Sequence, residues 1–580
     1  MPKLTIAVYL LLFFGLSAFA KGIALASDLL WFGELGLGSV FWTAFLSRWG
    51  LGFAGAALAG AFLVANLWAA GLRSRRAVMI LAEDERDELA SLREARELLA
   101  PFLPVAALLA ALFFGSWAGR QWEEWLLFRH ASSFGAVDPV FGKDIGFYVF
   151  ALPVYQFLNS FAMTLVAAAG VAALARYVAE GKIVLTNLGP RMAETARNHL
   201  FLLGGLICLA VAARFELRMY GMLSMDRTVA PGPGYADVAA YFPALRALKY
   251  LAIASAVLLW ASPALGSARY ALAGIALLFL GNLGAGMYRG MIQRFIVAPN
   301  EIVKESPYIA SAIEHTRRAF GIDRVEEREF RPVDDLTAER VRRNDLTIQN
   351  IRLWDHGPLL TTYSQLQEIR TYYDFMDVDN DRYMVDGRYR QVMLSPRELN
   401  PASLPSRIWI NEHLTYTHGY GLTVGPVNRI SPEGLPEFFV KDIPPRTSGL
   451  RISRPEIYYG EARANYAIVN TRSKEFDYPS GDENIYTTYQ GKGGVSLKGL
   501  PRKLLFAFRF GEPKIVLSSD LTSESRVLYH RNIRERLQKA APFLRFDNDP
   551  YIVVGDDGRL HWIVDAYTVT DRYPFSEPLP

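Results

Sequence analysis

The sequence predicts an α-helical polytopic membrane bundle of about seven spans, followed by an α+β extracytoplasmic domain. Three observations favour this fold class. The chain has 580 residues, which is long for one compact domain. Apolar residues make up 51% of it, a high fraction for a soluble protein. The apolar runs lie before residue 290. We therefore expect a transmembrane domain at residues 1–290 and an α+β domain at residues 291–580.

Seven apolar runs approach the length of a membrane span. Crossing a bilayer takes a helix of about 20 apolar residues, because the hydrocarbon contains no water to satisfy the backbone. The runs are Leu4 to Ala20, Leu51 to Leu72, Pro101 to Gly119, Phe147 to Tyr177, Leu200 to Ala213, Tyr250 to Leu265 and Tyr270 to Met287. In the second run, Gly52, Ala56 and Gly60 recur every four residues. This stripe either lets another helix approach closely or reflects the ordinary glycine content of membrane helices.

The first run has two interpretations. A basic start, an apolar stretch and the tripeptide AFA before Lys21 also describe a cleavable signal peptide. We favour a retained span. In both interpretations the chain leaves this segment on the far side of the membrane, so the predicted topology downstream is the same.

Basic residues in the loops set the predicted orientation, because cytoplasmic loops carry an excess of Lys and Arg. The loop after the second run contains Arg73, Arg75, Arg76, Arg86, Arg93 and Arg96, and the loop after the fourth contains Lys182, Arg191 and Arg197. With seven spans, this bias puts the N-terminus in the cytoplasm and everything after Gly290 outside it. The expected location is the plasma membrane, with the lipid bilayer as a partner.

Charge and composition exclude several classes of protein. The net charge of +4 is small and the bases are interspersed with acids, which argues against nucleic-acid binding. Cys208 is the only cysteine, so an intramolecular disulfide and zinc sites that need two cysteines are excluded. No Asp, Glu, Lys or Arg lies in the middle of an apolar run, which disfavours a pump or a secondary transporter.

Turn residues and periodicity predict the elements of the C-terminal half. A helix is expected in SPYIASAIEHTRRAFG, Ser306 to Gly321, with Ser306 as N-cap and Pro307 at the first helical position. Two more are expected from Pro358 to Ile369 and from Ser523 to Ala541. The dipeptide Asp386-Gly387 lies between two alternating runs and predicts a tight hairpin, because both turn positions need a positive φ. A second hairpin is expected around the GDDG turn, Gly555 to Gly558.

Long motifs throughout the chain resemble those of a bacterial family of large membrane proteins known only as an uncharacterised protein family (UPF). They include FGKDIGFYVFALPVY, RFIVAPNEIVKESPYI, NIRLWDHGPLL, WINEHLTYTHGYG, RPEIYYGE and APFLRFDNDPYIVVGDDGRLHWIVDAYT. The resemblance covers nearly the whole chain and implies seven spans and a large extracytoplasmic region. It supplies no activity, substrate, cofactor or catalytic residue. Members of the family continue beyond the YPFSEP motif, so we expect this chain to lack a C-terminal part of that region.

A cluster of carboxylates is the candidate metal site. Asp377, Asp379 and Asp381 have the spacing of the first, third and fifth ligands of a calcium loop, and carboxylate oxygens suit calcium. The match to an EF-hand fails at Arg382 and Arg388, where Gly and Glu are required. Three interpretations stay open: a calcium or other divalent ion, a catalytic carboxylate pair, or neutralisation of the acids at the base of a hairpin by Arg382, Arg388 and Arg390.

Other polar residues are weaker candidates. His413 and His418 lie five apart with Glu412 before them, which does not match a zinc protease, so we expect a polar pocket or structural hydrogen bonds. The segment Gly491 to Gly494 lacks the residue order of a phosphate loop and is interpreted as a flexible loop. General acid–base catalysis needs two carboxyl groups brought together by the fold. The further acids are Asp477, Asp482, Glu483, Asp547, Asp549, Asp565 and Asp571.

Two functional classes remain. The first is a membrane-anchored extracytoplasmic binding, sensing or assembly protein of the cell envelope, with other envelope proteins as partners. The second is a membrane-embedded enzyme that acts on a cell-envelope substrate. The first is preferred because the sequence contains no recognisable catalytic constellation. No catalytic residue is identified and no cofactor is established; a calcium ion at Asp377, Asp379 and Asp381 is the one candidate cofactor.

Overall fold

The computed structural model describes residues 2–74, 102–186, 189–226, 230–265, 269–332, 334–462, 465–481 and 483–578. By internal contacts the chain divides into two compact units. The unit that we call the mixed unit contains Met1–Trp42 and Glu329–Val569, and the helical unit contains Thr43–Arg328 and Thr570–Pro580. The predicted domain boundary at residue 290 stays a prediction.

Long apolar helices dominate the first half of the described chain. Seven of them are long and apolar enough to cross a membrane, which confirms the predicted bundle. Most extend beyond the predicted runs, because a helix continues past its apolar part into the flanking polar residues. The helices are α1 Pro2–Glu34, α2 Gly38–Ser74, α3 Phe102–Arg120, α4 Trp122–Arg129, α5 Leu152–Ala179, α6 Glu194–Gly221, α7 Phe242–Ala261, α8 Arg269–Ile292 and α9 Glu301–Ala319.

Three π-helical turns in the helical unit share a sequence cause. The turns are Phe147–Ala151, Asp237–Tyr241 and Gln293–Val297. Each is followed by a helical segment whose second residue is proline: Pro153, Pro243 and Pro299. Proline has no N–H to donate to the carbonyl four residues earlier, so the preceding turn can widen.

Small residues let α2 and α3 approach closely in the helical unit. A Cβ on Gly115 would lie 2.7 Å from the carbonyl oxygen of Gly52 and 2.8 Å from the Cβ of Ala56. A Cβ on Gly60 would meet Ala111 at 3.5 Å. The stripe predicted in the second run therefore faces α3, as expected for close helix packing.

The last described residues return to the core of the helical unit. Phe575 is fully buried in a cluster with Tyr148, Met219 and Leu245. Its N–H donates to the carbonyl of Leu223 at 2.7 Å. This packing belongs to the helical unit itself, because residues 570–580 are part of it.

The mixed unit contains short helices and many short strands. Its further helices are α10 Ala338–Arg343, α11 Asp345–Ile348, α12 His356–Gln367, α13 Leu500–Phe510, α14 Lys514–Leu517 and α15 Ile533–Ala540. The strands of the described chain, the first two in the helical unit, are β1 Ile183–Thr186, β2 Gly189–Met192, β3 Tyr373–Asp374, β4 Asp379–Val385, β5 Arg388–Pro396, β6 Glu398–Leu399, β7 Gly419–Tyr420, β8 Leu422–Pro426, β9 Val440–Lys441, β10 Arg446–Thr447, β11 Glu456–Ile457, β12 Ala467–Val469, β13 Glu475–Ser480, β14 Glu483–Thr487, β15 Val495–Ser496, β16 Arg526–Leu528, β17 Arg545–Phe546, β18 Tyr551–Val554, β19 Leu560–Ile563 and β20 Ala566–Tyr567.

A five-stranded antiparallel sheet is the largest in the mixed unit. Its strand order is β10-β9-β8-β5-β4. The hairpin of β4 and β5 turns at Asp386 and Gly387, whose φ angles are 50° and 73°, so the predicted turn is confirmed. The second predicted hairpin is formed by β18 and β19, which pair from Tyr551 with Ile563 to Val554 with Leu560.

Two predicted helices differ from the structure. The helix expected from Ser306 begins at Glu301, with Pro307 inside it. The helix expected from Ser523 to Ala541 is present only as α15. The segment before α15 forms β16, because Val527 and Leu528 are buried between β12 and β15. Tertiary pairing therefore outweighs the local helical pattern.

The final turns of α1 belong to the mixed unit. The hydroxyl of Tyr529 donates to the carbonyl of Ser27 at 2.7 Å. Lys539 forms a 2.8 Å ion pair with Asp28, and the N–H of Gly494 donates to Glu34 Oε1 at 3.0 Å. The C-terminal part of the first apolar helix is thus built into the mixed unit.

Candidate functional site

The three candidate metal ligands lie at the beginning of β4. Asp379 and Asp381 are two residues apart on this strand, so their side chains project from the same face. Asp377 precedes the strand. Asp379 is buried, whereas Asp381 is half-buried. The fold therefore brings two of the three carboxylates to one face and places the third beside them in the chain.

Strand β18 covers this face of β4. The N–H of Ile552 donates to Asp379 Oδ2 at 3.1 Å, and the N–H of Val554 donates to the hydroxyl of Tyr383 at 2.8 Å. Tyr383 is four residues after Asp379 and lies on the same face. The second hairpin is consequently held against the first by two polar side chains of β4.

Burial raises the pKa of Asp379 to about 7. The hydrogen bond from Ile552 lowers this pKa, but the like charges of Asp549, Asp377 and Asp381 raise it further. In the sequence, Asp549 is only one of several scattered acids. The structure places it close enough to interact with the candidate cluster.

Glu461 also belongs to the electrostatic environment of this cluster. Burial raises its pKa to about 8, and Glu398, Asp379 and Asp377 raise it further in that order. Burial and the repulsion by neighbouring carboxylates therefore both raise the pKa of Asp379 and of Glu461 towards neutral pH. No local sequence pattern connects Glu461 with Asp379, so Glu461 was not among the predicted site residues.

The carboxylates of the candidate metal site are partly engaged by the backbone. Asp377 Oδ1 accepts from the N–H of Val378 at 2.7 Å, and Asp381 Oδ1 accepts from the N–H of Arg382 at 2.8 Å. Among the residues that the structure describes, no group of three or more His, Cys, Asp or Glu side chains is arranged to hold a metal ion. The calcium site at these aspartates stays a prediction.

Arg390, one of the arginines expected to neutralise the acids, is buried and has another partner. Its guanidinium donates to Gln349 Oε1. Burial lowers its pKa, and the nearby positive charges of Arg429 and Arg388 lower it further. This side chain therefore lies among other arginines and helps to hold the segment before α12.

A second cluster surrounds His418 in the interior of the mixed unit. The hydroxyl of Thr417 donates to Glu475 Oε2 at 2.6 Å and lies 2.8 Å from His418 Nδ1. The other ring nitrogen of His418 lies 3.4 Å from Asp477 Oδ1. Tyr458 also donates to Glu475 Oε2, at 2.8 Å. The fold thus brings together His418 and Asp477, two of the residues considered from the sequence.

The proton arrangement of this cluster follows from the donor count. A hydroxyl has one proton, and that of Thr417 is directed to Glu475. His418 Nδ1 must then carry the proton of its contact with Thr417. Its Nε2 faces Asp477 Oδ1 across 3.4 Å. The cluster thus places a histidine between the carboxylates of Glu475 and Asp477.

Arg531 joins three segments around the same cluster. Its fully buried guanidinium donates to the carbonyls of Thr417 at 2.6 Å, Tyr458 at 2.7 Å and Asn465 at 3.1 Å. Burial lowers its pKa. Arg531 and Glu475 were not among the predicted site residues, because their partners lie far away in the chain.

The remaining candidates have structural partners or lie at the surface. His413 Nδ1 is 2.7 Å from the carbonyl of Tyr466, and the two rings stack at 3.9 Å. Asp547 accepts from the N–H groups of the next two residues, as in an Asx turn. Asp571 is exposed beside Arg572. Asp482 lies outside the described residues.

The helical unit contains a separate cavity of about 460 Å³ with charged residues in its wall. Arg289 lines it and forms a 2.6 Å ion pair with the buried Asp237. Glu305, also in the wall, accepts from the N–H of Tyr235 at 3.2 Å. Of these charged residues only Arg289 lies next to an apolar run, so the hydropathy pattern did not reveal the cavity.

Known proteins resemble this chain over almost its whole length. The family model of the uncharacterised protein family UPF0182 matches residues 4–579. A UPF0182 protein of Geobacter sp. (strain M21) is 47% identical over 555 residues, which cover 95% of this chain and 62% of the relative. One of Pelobacter propionicus (strain DSM 2379) is 48% identical over 567 residues, 96% of this chain and 63% of the relative.

A more distant relative also matches over the whole chain. A UPF0182 protein of Sulfurovum sp. (strain NBC37-1) is 39% identical over 584 residues, 100% of this chain and 63% of the relative. The chain thus spans 62–63% of the length of these curated relatives. No solved structure matches it. The chain belongs to the uncharacterised protein family UPF0182.

Proposed function

We propose that this protein is a multi-pass plasma-membrane protein whose mixed unit binds or assembles with other proteins of the cell envelope outside the cytoplasm. Membrane anchoring is supported by the apolar helices and by α1, whose last turns are fixed in the mixed unit through Ser27, Asp28 and Glu34. Residues 329–569 of the mixed unit are therefore joined by direct contacts to α1, the apolar helix of the same unit.

The proposed assembly function rests on the segment from residue 329 to 353, which we call the arm. Its helices α10 and α11 have six and four residues and contain no buried residue. Phe330 and Leu336 are 85% and 84% exposed, and Leu346 and Leu353 are exposed as well. Helices this short are unstable in water without packing partners. Exposed apolar side chains in such a segment favour a protein partner that covers them.

The arm is also held at one end, which suits a docking segment. The N–H of Leu353 donates to the carbonyl of Val427 at 2.8 Å, and Asn350 Oδ1 accepts from the N–H of Gln391 at 2.6 Å. The C-terminal end of the arm is consequently fixed to β5 and the residue after β8. A partner would meet a segment whose position is already partly defined.

Photo-cross-linking in intact cells tests this function. A benzophenone amino acid at Leu336 or Leu346 is expected to give a discrete adduct with an envelope protein. The same group at Met384, an exposed apolar residue of β4, is the matched control and is expected to give none. Arm positions that give no adduct, or give the same adducts as position 384, would contradict an assembly role for the arm.

The proposed topology has the N-terminus in the cytoplasm and the mixed unit outside it. The arginine-rich loop after the second run is part of the argument from sequence, although residues 75–101 lie outside the described part of the chain. Alkaline phosphatase fused after Gly290 should be active, because it folds only outside the cytoplasm. A fusion to a cytoplasmic reporter at the same position should be inactive, and the reverse result would overturn the orientation.

The His418 cluster supports an alternative function, a membrane-embedded enzyme that acts on a cell-envelope substrate. A histidine between Glu475 and Asp477 has the groups needed for general acid–base chemistry. Asp477→Asn keeps the size of the side chain and removes its charge. In a complementation assay, a variant at normal membrane level that fails to restore function would favour catalysis, whereas full restoration would argue against it.

Calcium binding by Asp377, Asp379 and Asp381 is a further part of the proposal. Burial and, after it, the repulsion by Asp549, Asp377 and Asp381 raise the pKa of Asp379. A divalent cation would relieve the repulsion. We expect calcium to raise the melting temperature of the protein in detergent, with a larger shift at pH 8 than at pH 6. Asp377→Asn combined with Asp379→Asn should abolish the shift. An unchanged melting temperature and no bound ion in the unsubstituted protein would refute calcium binding.

A further inference from the structure

We infer that helix α13 lies in the membrane interface, with Leu500, Leu504 and Phe508 against the acyl chains of the lipids. We call these three residues the α13 stripe. The occupant of this surface is the boundary between headgroups and acyl chains of the bilayer into which α1 inserts. The inference rests on the proposed membrane placement of α1, and it adds a second point of membrane contact for the mixed unit.

Helix α13 is apolar on two opposite faces. On the inner face, Phe506 is fully buried and Phe510 stacks on Tyr466 with ring centroids 4.1 Å apart. On the outer face, Leu500 and Phe508 are 59% and 58% exposed, and Leu504 is 39% exposed. Residues four apart share one side of a helix, so the α13 stripe is continuous. A water-facing helix would carry polar residues there.

Contact with α1 gives the depth of α13. The ring of Phe508 meets the ring of Phe19 at a centroid distance of 5.2 Å in an edge-to-face arrangement. Asp28, paired with Lys539, marks a polar level on α1. Phe19 lies nine residues before Asp28, which at 1.5 Å per residue is roughly 13 Å further toward the apolar part of α1. The α13 stripe is therefore level with a part of α1 that faces acyl chains.

The surface of α1 next to the stripe is itself apolar and uncovered. Leu16 and Phe19 are exposed, and both belong to the first apolar run. Leu517, at the end of α14, is also exposed. The α13 stripe thus continues the lipid-facing surface of a helix that is apolar enough to cross a membrane. This continuity favours lipid over a separate protein partner.

The charge around α13 complements anionic headgroups. Residues 498–514 read KGLPRKLLFAFRFGEPK, with five basic residues and one acid. Lys498 and Lys514 are exposed. Arg502 and Lys503 are half-buried and donate to the carbonyls of Ser496 and Leu521. An apolar stripe with flanking bases is typical of a helix that lies in the membrane interface.

Nitroxide accessibility in lipid nanodiscs tests the inference on the full chain. The buried Cys208 is the only cysteine, so Cys208→Ala gives a background for single labels. Labels are placed by Leu504→Cys, Phe508→Cys and, as a second site less involved in packing, Leu500→Cys. Leu16→Cys reports on α1. Met384→Cys is the control, an exposed apolar residue far from α13 in the chain.

The expected result is a several-fold higher ratio of collisions with oxygen to collisions with a water-soluble nickel chelate at positions 500, 504 and 508 than at 384. Stripe labels that match position 384 would overturn the inference, because the helix would face water. Labels shielded from both reagents would also overturn it, because protein would cover the stripe. The label at position 16 tests the membrane placement of α1 separately. A lipid-exposed label there supports this placement even when the stripe labels contradict the inference, and a water-exposed label there would refute it.

Discussion

The Asp379 carboxyl lies where the folded protein favours its protonated form. Strand β18 covers it, and Asp549, Asp377 and Asp381 are its charged neighbours. Its pKa is about 7, against 3.8 for an ordinary aspartate. Below about pH 4 the Asp379 carboxyl is protonated in both the folded and the unfolded protein, and its contribution to the free energy of unfolding is fully present. This contribution is lost as the pH rises through about 7, because the folded protein must then bury the charged carboxylate.

Asp379→Asn should therefore increase stability at high pH. The amide removes the charge that is buried above neutral pH, and the expected gain is roughly 2 kcal/mol at pH 8 after allowance for solvent screening. The melting temperature of the unsubstituted protein in detergent should fall between pH 5 and pH 8, and that of the variant should fall less. Asp557→Asn, at an exposed turn, is the control and should leave the pH profile unchanged. Equal profiles for Asp379→Asn and the unsubstituted protein would contradict the burial of this charge.

Arg531 is expected to be sensitive even to replacement by lysine. Lysine keeps the charge but cannot reach the carbonyls of Thr417, Tyr458 and Asn465 together, because it lacks the planar fork of guanidinium donors. We expect Arg531→Lys to lower the free energy of unfolding by about 3 kcal/mol. Chemical denaturation followed by tryptophan fluorescence measures this loss. Arg534→Lys, on the exposed side of α15, is the control, and equal stability of the two variants would disprove the bridging role.

Glycine packing between α2 and α3 gives a prediction for a pair of helices. Gly115→Ala places a methyl group 2.7 Å from the carbonyl oxygen of Gly52, so the helices must separate. We expect a loss of about 2 kcal/mol, within the range for overpacked sites. Gly170→Ala in α5 meets no atom within 4 Å and is the matched control. It should be neutral or slightly stabilising, because alanine has the higher helix propensity. Thermal unfolding in detergent compares the two.

Local signals predicted the elements that are defined by local chemistry. Asp386-Gly387 fixes a turn because both residues accept positive φ, and apolar composition defines the seven long helices. The sequence predicted a helix where the structure has β16, because the pairing of this strand with β12 and β15 depends on distant residues. For the same reason, only the structure shows that Glu461 interacts with the Asp379 cluster and that Glu475 lies next to His418.

Attachment of the mixed unit to α1 gives a prediction for the whole chain. Trp31 is buried, its ring meets that of His530 at 5.2 Å, and the guanidinium of Arg536 lies 5.4 Å from its centroid. Trp31→Ala should cost about 3–5 kcal/mol, as for other buried aromatic residues. Limited proteolysis in detergent should then cleave the region around Arg536 faster.

Trp49→Ala is the control for this substitution, since Trp49 is largely exposed. It removes the same side chain from the first half of the chain without opening a cavity. Proteolysis of the mixed unit should stay at the rate of the unsubstituted protein. If both variants are cleaved equally fast, the packing of Trp31 does not hold α1 in the mixed unit.

A continuous α1 has a mechanical consequence. Its 33 residues form a rod of about 50 Å, and contacts at Ser27, Trp31 and Glu34 clamp one end of that rod in the mixed unit. Membrane helices tilt when the thickness of the bilayer changes. With α1 placed in the membrane as proposed above, a tilt of α1 would turn the rest of the mixed unit through the same angle. In that placement α1 would convert a change in bilayer thickness into a change in domain orientation.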